Sequence, residues 1–257
     1  MSPADAGGAQ ARVVGHVVHA LDEVGSTQTE AARFAAEGAP EGLVVSARHQ
    51  RAGRGRLGRA WWDRPGESLL LSVLLRPRIA PSRAPQLTLV GALGVVDAVA
   101  AATGLAASIR WPNDVQVAGR KICGILAEAT TDAAGSLERV ILGIGLNVNQ
   151  DAFPPEVAGR AASLRMLTGR LHDRAALLDA VLEALDIRYR AFLDAGAEAL
   201  AAACRERCVT LGERIRAADG REGVAVDLDA SGALLLRADD GAVHRVVAGE
   251  VAGAPAA

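Results

Sequence analysis

Hydrophobic and polar positions divide most of the chain into segments of helical or extended character. Helical periodicity is clearest where Leu178, Val181, Leu182 and Leu185 recur every three to four residues. Two short, almost continuously apolar runs are typical of buried strands. The pattern predicts helices over 25–38, 86–102 and 173–192, and strands over 43–48 and 69–75, the latter interrupted by Ser72.

The pattern changes after Cys208. Short β-like runs alternate there with Asp and Gly turns, which is typical of a small antiparallel barrel. These runs cover 209–216, 223–228, 233–237 and 243–247. We therefore predict three parts: a flexible N-terminal tail over 1–19, a large α/β domain over 20–208 and a small β-barrel domain over 209–257.

Composition narrows the class of protein. The chain has 257 residues, half of them hydrophobic, with a formal net charge of −2 and three cysteines. The slightly negative net charge argues against a general nucleic-acid binder, and the odd cysteine count argues against a disulfide framework. No basic region followed by an apolar stretch marks a signal peptide, and no apolar run is long enough to span a bilayer. We expect a cytoplasmic protein.

Lys121 is the single lysine among 28 basic residues, so the other 27 are Arg. In a composition with this bias towards Arg, a surviving Lys indicates a position that needs a compact ammonium rather than a planar guanidinium. Survival by chance is the alternative.

Arginines alternate with glycines in RAGRGRLGRAWW (51–62), which contains the pattern G-x-G-x-x-G at Gly53, Gly55 and Gly58. A dinucleotide-binding function is excluded, because that pattern needs a helix directly after it and Pro65 follows too soon. We interpret the segment as a flexible loop that closes over an anionic ligand, with guanidinium groups neutralising phosphate or carboxylate. A solvated charged loop and a nucleic-acid patch are the alternatives.

An Ala-Gly pair at 118–119 predicts a two-residue hairpin turn that brings 115–117 against 120–122 in continuous register. Asp114 and Lys121 then share one face as diagonal neighbours, with Cβ atoms about 7–8 Å apart or somewhat less. The other face, with Val115, Val117 and Ile122, is mostly apolar. A face that combines a carboxylate with an ammonium is typical of a functional site, and an ordinary surface ion pair is the alternative.

Period-two alternation in VILGIGLNVN (140–149) separates an apolar face from one that carries Gly143, Gly145, Asn147 and Asn149. Glycine inside a strand often marks the close approach of a ligand or of another backbone. Asn amides on that face suit recognition of a base or ribose edge. Close packing of the strand against a helix is the alternative.

Together these segments resemble the biotin protein ligase family (biotin carboxyl-carrier ligases). The matching motifs are GRGRLGRAW at 53–61, RWPND at 110–114, GRKICGILAE at 119–128 and GIGLNVN at 143–149, with STQ at 26–28. The resemblance implies a mixed α/β (α+β) fold. A class II synthetase-like catalytic domain, with a central sheet flanked by helices, would precede a small SH3-like β-barrel.

Two departures from the family pattern qualify the resemblance. The family usually has Lys where this chain has Arg110, and we expect function to survive because the charge is the same. The DNA-binding form of the family carries an N-terminal winged helix. Too few residues precede STQ here to form one, so we expect no repressor activity and no DNA partner.

The resemblance also implies the reaction. ATP, with Mg²⁺, converts biotin to biotinyl-5′-AMP with release of pyrophosphate, and a lysine of a carrier domain then attacks the adenylate. Lys121 would lie between the biotin carboxylate and the α-phosphate, and Arg54, Arg56 and Arg59 would close over the adenylate. Asp114 would place Mg²⁺ or the incoming amine, by orienting or deprotonating it.

The remaining residues assigned by the resemblance bind ligands. Biotin would contact Ser26, Thr27, Gln28 and Gln50. The nucleotide would contact Trp61, Asn113 and Asn147. The glycines expected at the site are Gly53, Gly55, Gly124, Gly143 and Gly145.

A lipoate or octanoate ligase of the same superfamily is the alternative function, although such an enzyme would carry its own Arg/Gly-rich loop in place of GRGRLGRAW. A nucleic-acid-binding module fits less well, because the chain has seven aromatic residues and a negative net charge. The expected partners are biotin, ATP and a biotin carboxyl carrier domain. We expect a monomer or weak homodimer without a membrane partner.

Overall fold

A seven-stranded sheet organises residues 17–147 in the computed structural model, which describes residues 12–247 and the backbone of Val251–Gly253. The strand order is β1-β2-β3-β7-β6-β5-β4; β1 and β2 are parallel, and the other neighbours are antiparallel. The strands are β1 Val17–Val24, β2 Leu43–Gln50, β3 Ser68–Leu75, β4 Ser108–Arg110, β5 Asp114–Val117, β6 Arg120–Thr131 and β7 Leu137–Asn147.

Helices cover both faces of this sheet. They are α1 Thr27–Ala36, α2 Gln86–Thr103, α3 Pro155–Ala158, α4 Leu164–Thr168 and α5 Arg174–Arg205. Helix α2 packs between the sheet and α5 in the main hydrophobic core. Helix α1 packs on the opposite face, where Ala31 and Ala35 meet Val45 and Leu74. The candidate site lies on this second face, beside the N-terminus of α1.

Helix α2 lies in the interior of the fold. The segment 81–103 is long and apolar enough to cross a membrane by composition, yet 67% of its most apolar 18-residue stretch is buried within the protein. A Cβ atom at Gly94 would lie 3.1 Å from the Cα of Leu185 in α5. This glycine therefore lets α2 and α5 approach closely, and α2 is a core helix.

The predicted elements of the large domain are confirmed, with shifted ends. The N-cap of α1 is Ser26, whose Oγ accepts a hydrogen bond from Gln28 N at 3.3 Å. Thr27 is thereby free for other contacts, although its spacing from Glu30 suits a capping box. Helix α5 continues beyond 192 to Arg205, across a non-helical residue at Gly196.

The predicted flexible tail over 1–19 extends too far. The N–H groups of Val13 and Val14 donate to Asp186 Oδ1 at 2.8 and 2.9 Å, and Val14 is fully buried. Strand β1 begins at residue 17, so the segment from 13 onward is packed against the fold. Residues 1–11 lie outside the described residues.

A five-stranded antiparallel sheet follows α5, as the Asp/Gly turn spacing predicts. Its order is β11-β10-β9-β8-β12. The strands are β8 Arg214–Ala217, β9 Glu222–Leu228, β10 Leu234–Arg237, β11 Val243–Val246 and β12 Val251–Gly253. The run predicted over 209–216 is extended only from residue 214, because residues 209–212 form turns. The mixed α/β architecture with a small C-terminal β-sheet is confirmed.

The small sheet is docked on the large domain by a few directed contacts. The indole Nε1 of Trp111 donates to Gly232 O at 2.9 Å, and Gln86 Nε2 donates to Ala230 O at 2.9 Å. Arg110 Nη1 forms a salt bridge with Glu213 Oε2 at 2.9 Å. Residues 110–111, within the RWPND motif, therefore contribute directly to this interface.

Trp111→Phe is expected to lower the free energy of unfolding by about 1–3 kcal/mol, because it removes the donor that satisfies a buried carbonyl. Urea denaturation of the purified variant measures this loss. Trp62→Phe is the control, since Trp62 is only half-buried and its ring packs on Phe153. Equal stability of the two variants would contradict a role for the Trp111 hydrogen bond.

Candidate active site

A pocket on the α1 face of the sheet collects most of the predicted site residues. It is lined by Ser26, Thr27, Gln28, Gln50, Arg54, Gly55, Arg56, Trp61, Asn113, Lys121, Gly124, Gly143 and Gly145. The pocket lining does not include four further predicted residues: Gly53, Arg59, Asp114 and Asn147. The three motifs thus converge on one cavity, although they are far apart in the sequence.

Sequence analysis missed the apolar part of the lining. Leu71, Ile125, Leu126 and Ile144 also border the pocket. Three of them belong to the main hydrophobic core, so packing alone explains their apolar character. No signal in the sequence distinguishes such residues from the rest of the core.

The Gly/Arg segment forms a short hairpin beside the pocket. Trp61 N donates to Gly53 O at 2.9 Å, and Gly55 N donates to Arg59 O at 2.7 Å. A single 3-10 turn lies at its tip, where Leu57 has a φ of 56° and is 71% exposed. An extended segment, not a helix, follows this turn, as expected from the rejection of a dinucleotide-binding pattern.

Two arginines of this hairpin reach the pocket. Arg56 Nη1 donates to Asn113 Oδ1 at 2.9 Å, which ties the hairpin to the RWPND segment. Arg54 Nη2 contacts Glu128 Oε2 at 3.2 Å. Because both residues also line the pocket, their guanidinium groups can contact an anionic ligand bound there.

Lys121 and Asp114 form an ion pair, with 2.6 Å between Nζ and Oδ1. The predicted two-residue turn is present, and both its residues have positive φ (47° and 74°), as a type I′ turn requires. The predicted continuous register is wrong: a β-bulge after Val115 places Cys123, not Ile122, opposite Val115. Lys121 and Asp114 nevertheless lie on one face, within direct contact.

A bare patch of sheet accommodates the ring of Trp61. Gly124 and Gly145 are directly opposite each other on β6 and β7. A Cβ atom would lie 2.9 Å from the Trp61 ring at position 124 and 2.7 Å from it at position 145. The Nζ of Lys121 is 5.6 Å from the ring centroid. The two glycines therefore let an aromatic ring lie flat on the sheet beside the ammonium.

Polar side chains at the start of α1 form another wall of the pocket. Gln28 Nε2 lies 3.3 Å from Leu126 O and 3.4 Å from Ile141 O, and its side chain packs over Gly143. This buried amide is held by the sheet and shapes the cavity. Ser26 and Thr27, at the first turn of α1, are also buried.

Asn147 has a structural contact instead of a place in the pocket lining. Its Nδ2 donates to Ala162 O at 3.0 Å, and the residue is buried. Asn113, in contrast, lies at the pocket and donates from Nδ2 to Ile125 O at 3.0 Å. The alternation along β7 assigns Asn147 to the same face as Gly143 and Gly145, but it does not show that the Asn147 amide is held by Ala162.

The described residues do not fit a metal site built by the protein alone. Within residues 12–247, no group of three or more His, Cys, Asp or Glu side chains could hold an ion. The Asp114 carboxylate, expected to place Mg²⁺, is engaged by Lys121. The neighbouring Cys123 is no nucleophile, because burial raises the pKa of its thiol.

Comparisons with known proteins agree with this geometry. Residues 22–147 match the Biotin/lipoate A/B protein ligase family, and residues 210–252 match the Biotin protein ligase C terminal domain. The bifunctional ligase/repressor of Bacillus subtilis is 36% identical over 239 residues, covering 91% of this chain and 73% of the relative. The biotin–[acetyl-CoA-carboxylase] ligase of Mycobacterium tuberculosis is 38% identical over 227 residues, covering 83% of this chain and 80% of that relative.

A solved structure extends the similarity to three dimensions. The biotin protein ligase of Aquifex aeolicus, in complex with biotin and ATP, has a TM-score of 0.79 and 30% identity, covering 92% of this chain and 98% of that one. Sequence motifs, fold and relatives all lead to one conclusion: the chain belongs to the biotin/lipoate A/B protein ligase family.

Proposed function

We propose that this protein is an ATP-dependent biotin–protein ligase. It converts biotin and ATP to biotinyl-5′-AMP and pyrophosphate, and then transfers the biotinyl group to a lysine of a biotin carboxyl carrier domain with release of AMP. The observation that carries the proposal is the pocket in which Lys121 and two arginines lie beside a wall of buried amide and hydroxyl groups. Cations suit the two anionic reactants, and polar groups suit the ureido ring.

Lys121 stabilises the adenylation step. Attack of the biotin carboxylate on the α-phosphate brings two anions together, and the Lys121 ammonium offsets their repulsion as charge develops. Asp114, 2.6 Å from Nζ, holds that ammonium in place before the ligands arrive. A preorganised point charge of this kind requires no rearrangement during the reaction.

Arg54 and Arg56 bind the phosphates and hold the hairpin closed over the adenylate. Mg²⁺ would enter with ATP, since a magnesium ion commonly takes most of its ligands from substrate phosphates and water. The ion would lower the charge of the triphosphate.

Transfer to the carrier requires a neutral amine. A lysine with a pKa near 10.4 is neutral in only about one molecule in 2,500 at pH 7. Asp114, on the same face as Lys121, is the group that would orient or deprotonate this amine. The Asp114 carboxylate would thus hold the Lys121 ammonium during adenylation and act on the carrier amine during transfer.

Incubation of the protein with ATP and biotin, followed by mass spectrometry, tests the proposal directly. We expect biotinyl-AMP, and a biotinylated lysine once a carrier domain is added. Thermal-shift assays with biotin and lipoate test the alternative ligase activity, because the lipoyl ring has no ureido group to meet the polar wall. Adenylation of lipoate but not of biotin would overturn the proposal.

Arg56→Gly is expected to release biotinyl-AMP about ten- to a hundredfold faster, because it removes the bond to Asn113 and a phosphate contact. Freed adenylate would then label lysines of bystander proteins. A streptavidin blot of an unrelated lysine-rich protein, incubated with ATP, biotin and the variant, detects this labelling.

Arg51→Gly is the matched control for that variant. Arg51 lies in the same segment, but its side chain is 69% exposed and contacts Glu23 away from the pocket. It should leave bystander labelling at the wild-type level. Equal labelling by the Arg56 and Arg51 variants would contradict the role of Arg56 as part of a lid.

The proposal also covers the domain bounds, the protein partner, the cellular location and the oligomeric state. The catalytic domain would begin before β1, at about residue 13, instead of at the predicted residue 20, and would end at 208. The SH3-like domain would occupy 209–257, and the two family matches, at 22–147 and 210–252, support a division near 208. The partner would be a carboxylase carrier domain in the cytoplasm. The ligase would act as a monomer or weak homodimer.

A further inference from the structure

One hydrogen bond fixes the orientation of the Gln50 amide. Thr27 N lies 2.7 Å from the end of this side chain. A backbone N–H group can only donate, so the atom that faces it is the amide oxygen, Oε1. The amide nitrogen, Nε2, is consequently turned the other way.

The same oxygen fixes the hydroxyl protons of two further residues. Gln50 Oε1 is 3.0 Å from Thr27 Oγ1, and because Oε1 only accepts, the Thr27 hydroxyl must donate to it. Thr27 Oγ1 is also 2.8 Å from Ser72 Oγ. Since the Thr27 proton is already committed, Ser72 must be the donor in this second bond. The chain of donation runs from Ser72 to Thr27 to Gln50.

Ser72 occupies a position where a hydroxyl has no other evident purpose. It is fully buried in the middle of β3, with Leu69–Leu71 before it and Val73–Leu75 after it. Its cross-strand partner on β7 is Gly143, over which the Gln28 side chain packs. Ser72 does not itself line the pocket.

We propose that Ser72 is a positioning residue for biotin binding. Through Thr27 it holds the Gln50 amide so that Nε2 remains available to the ligand as a donor. Within residues 12–247 no acceptor for Nε2 is found, and a Cβ atom at Gly53 would lie only 3.0 Å from it. Gly53 thus lets the Gln50 amide lie close to the hairpin backbone. The Gln50 side chain lines the pocket, where Nε2 suits a ligand carbonyl oxygen such as that of a ureido group. The inference rests on the proposed ligase function.

A double-mutant cycle tests this role. Ser72→Ala, Thr27→Val and the double variant are compared in biotin-dependent pyrophosphate exchange. Loss of one hydrogen bond corresponds to about a two- to tenfold change in an equilibrium constant. We therefore expect Ser72→Ala to raise the KM for biotin by about two- to tenfold, with little change in kcat. In the Thr27→Val background the same substitution should add almost nothing, because its effect passes through Thr27.

Ser46→Ala is the matched control. Ser46 is buried on the neighbouring strand β2, and its Oγ donates to Leu70 O at 3.2 Å. It lies on the α2 face, two residues from Val44, whereas Ser72 lies on the α1 face, two residues from Leu74. Its removal should leave the KM for biotin unchanged. If Ser72→Ala does not fold, Ser72→Cys, which keeps a weaker donor, is compared with Ser46→Cys.

The outcomes separate the inference from the function on which it rests. An inactive wild-type chain would overturn the proposed function, and this inference with it. An active chain in which the Ser72 and Ser46 variants have the same KM for biotin would overturn the inference alone. An undiminished effect of Ser72→Ala in the Thr27→Val background would also overturn it, since Ser72 would then act independently of Thr27.

Discussion

Lys121→Arg is expected to slow biotin-dependent pyrophosphate exchange by about 100-fold or more, although it keeps the positive charge. Loss of one preorganised group that stabilises developing charge costs about that factor. The Nζ atom lies 2.6 Å from Asp114, and a Cβ at Gly124 would lie only 3.1 Å from it. A guanidinium is wider and spreads its charge over three nitrogens, so it would displace these neighbours and weaken the point charge.

Arg110→Lys provides the matched comparison, because it exchanges the same two cations in the opposite sense. Arg110 pairs with Glu213 at 2.9 Å outside the pocket, and an ammonium can make that contact. Exchange activity should remain near the wild-type value. Thermal unfolding of both variants verifies that they fold. Near-normal exchange by the Lys121 variant would show that the single lysine is an accident of composition.

Gly145→Ala is expected to lower kcat/KM for ATP by about five- to a hundredfold. The added Cβ would lie 2.7 Å from the Trp61 ring, so the ring must move off the sheet. Overpacking of this kind typically costs about 1–3 kcal/mol. The displaced indole would no longer lie beside Lys121 or support the hairpin. Pyrophosphate exchange measures the loss, and tryptophan fluorescence reports the displacement.

Gly159→Ala controls for the loss of a glycine as such. No atom lies within 4 Å of a Cβ at that position, and its φ is ordinary for any residue. Its kinetics should match those of the wild-type chain. If Gly145→Ala also had the wild-type kcat/KM for ATP, the site would accommodate the added methyl group. The close approach of Trp61 to the sheet would then have no role in catalysis.

Period-two and helical spacing predicted the elements well, because burial of one face imposes a regular pattern on the sequence. The same spacing could not reveal the β-bulge after Val115, since an extra residue in a ladder leaves no compositional mark. Nor could the spacing along β7 show that the Asn147 amide is held by Ala162 instead of lining the pocket. Those roles depend on contacts between segments that are distant in the chain.

The interruption of an apolar run by Ser72 is visible in the sequence, but its meaning is not. Only the distances to Thr27, and from Thr27 to Gln50, show that this hydroxyl belongs to a directed chain of donors. The site residues inferred from the family motifs were mostly brought together in one pocket. Their individual duties remain predictions, which the variants above test.

The five residues of the RWPND segment contact both the small C-terminal sheet and the pocket region. Arg110 and Trp111 hold the small C-terminal sheet, whereas Asn113 and Asp114 lie at or beside the pocket. Truncation after α5 would therefore remove the anchors of the segment that presents Asn113 and Asp114. We therefore expect the large domain to lose activity when the small sheet is removed. Conversely, bound ligands should protect the small sheet from limited proteolysis. Ligand contacts that restrain Asn113 and Asp114 would also restrain Arg110 and Trp111, which contact that sheet.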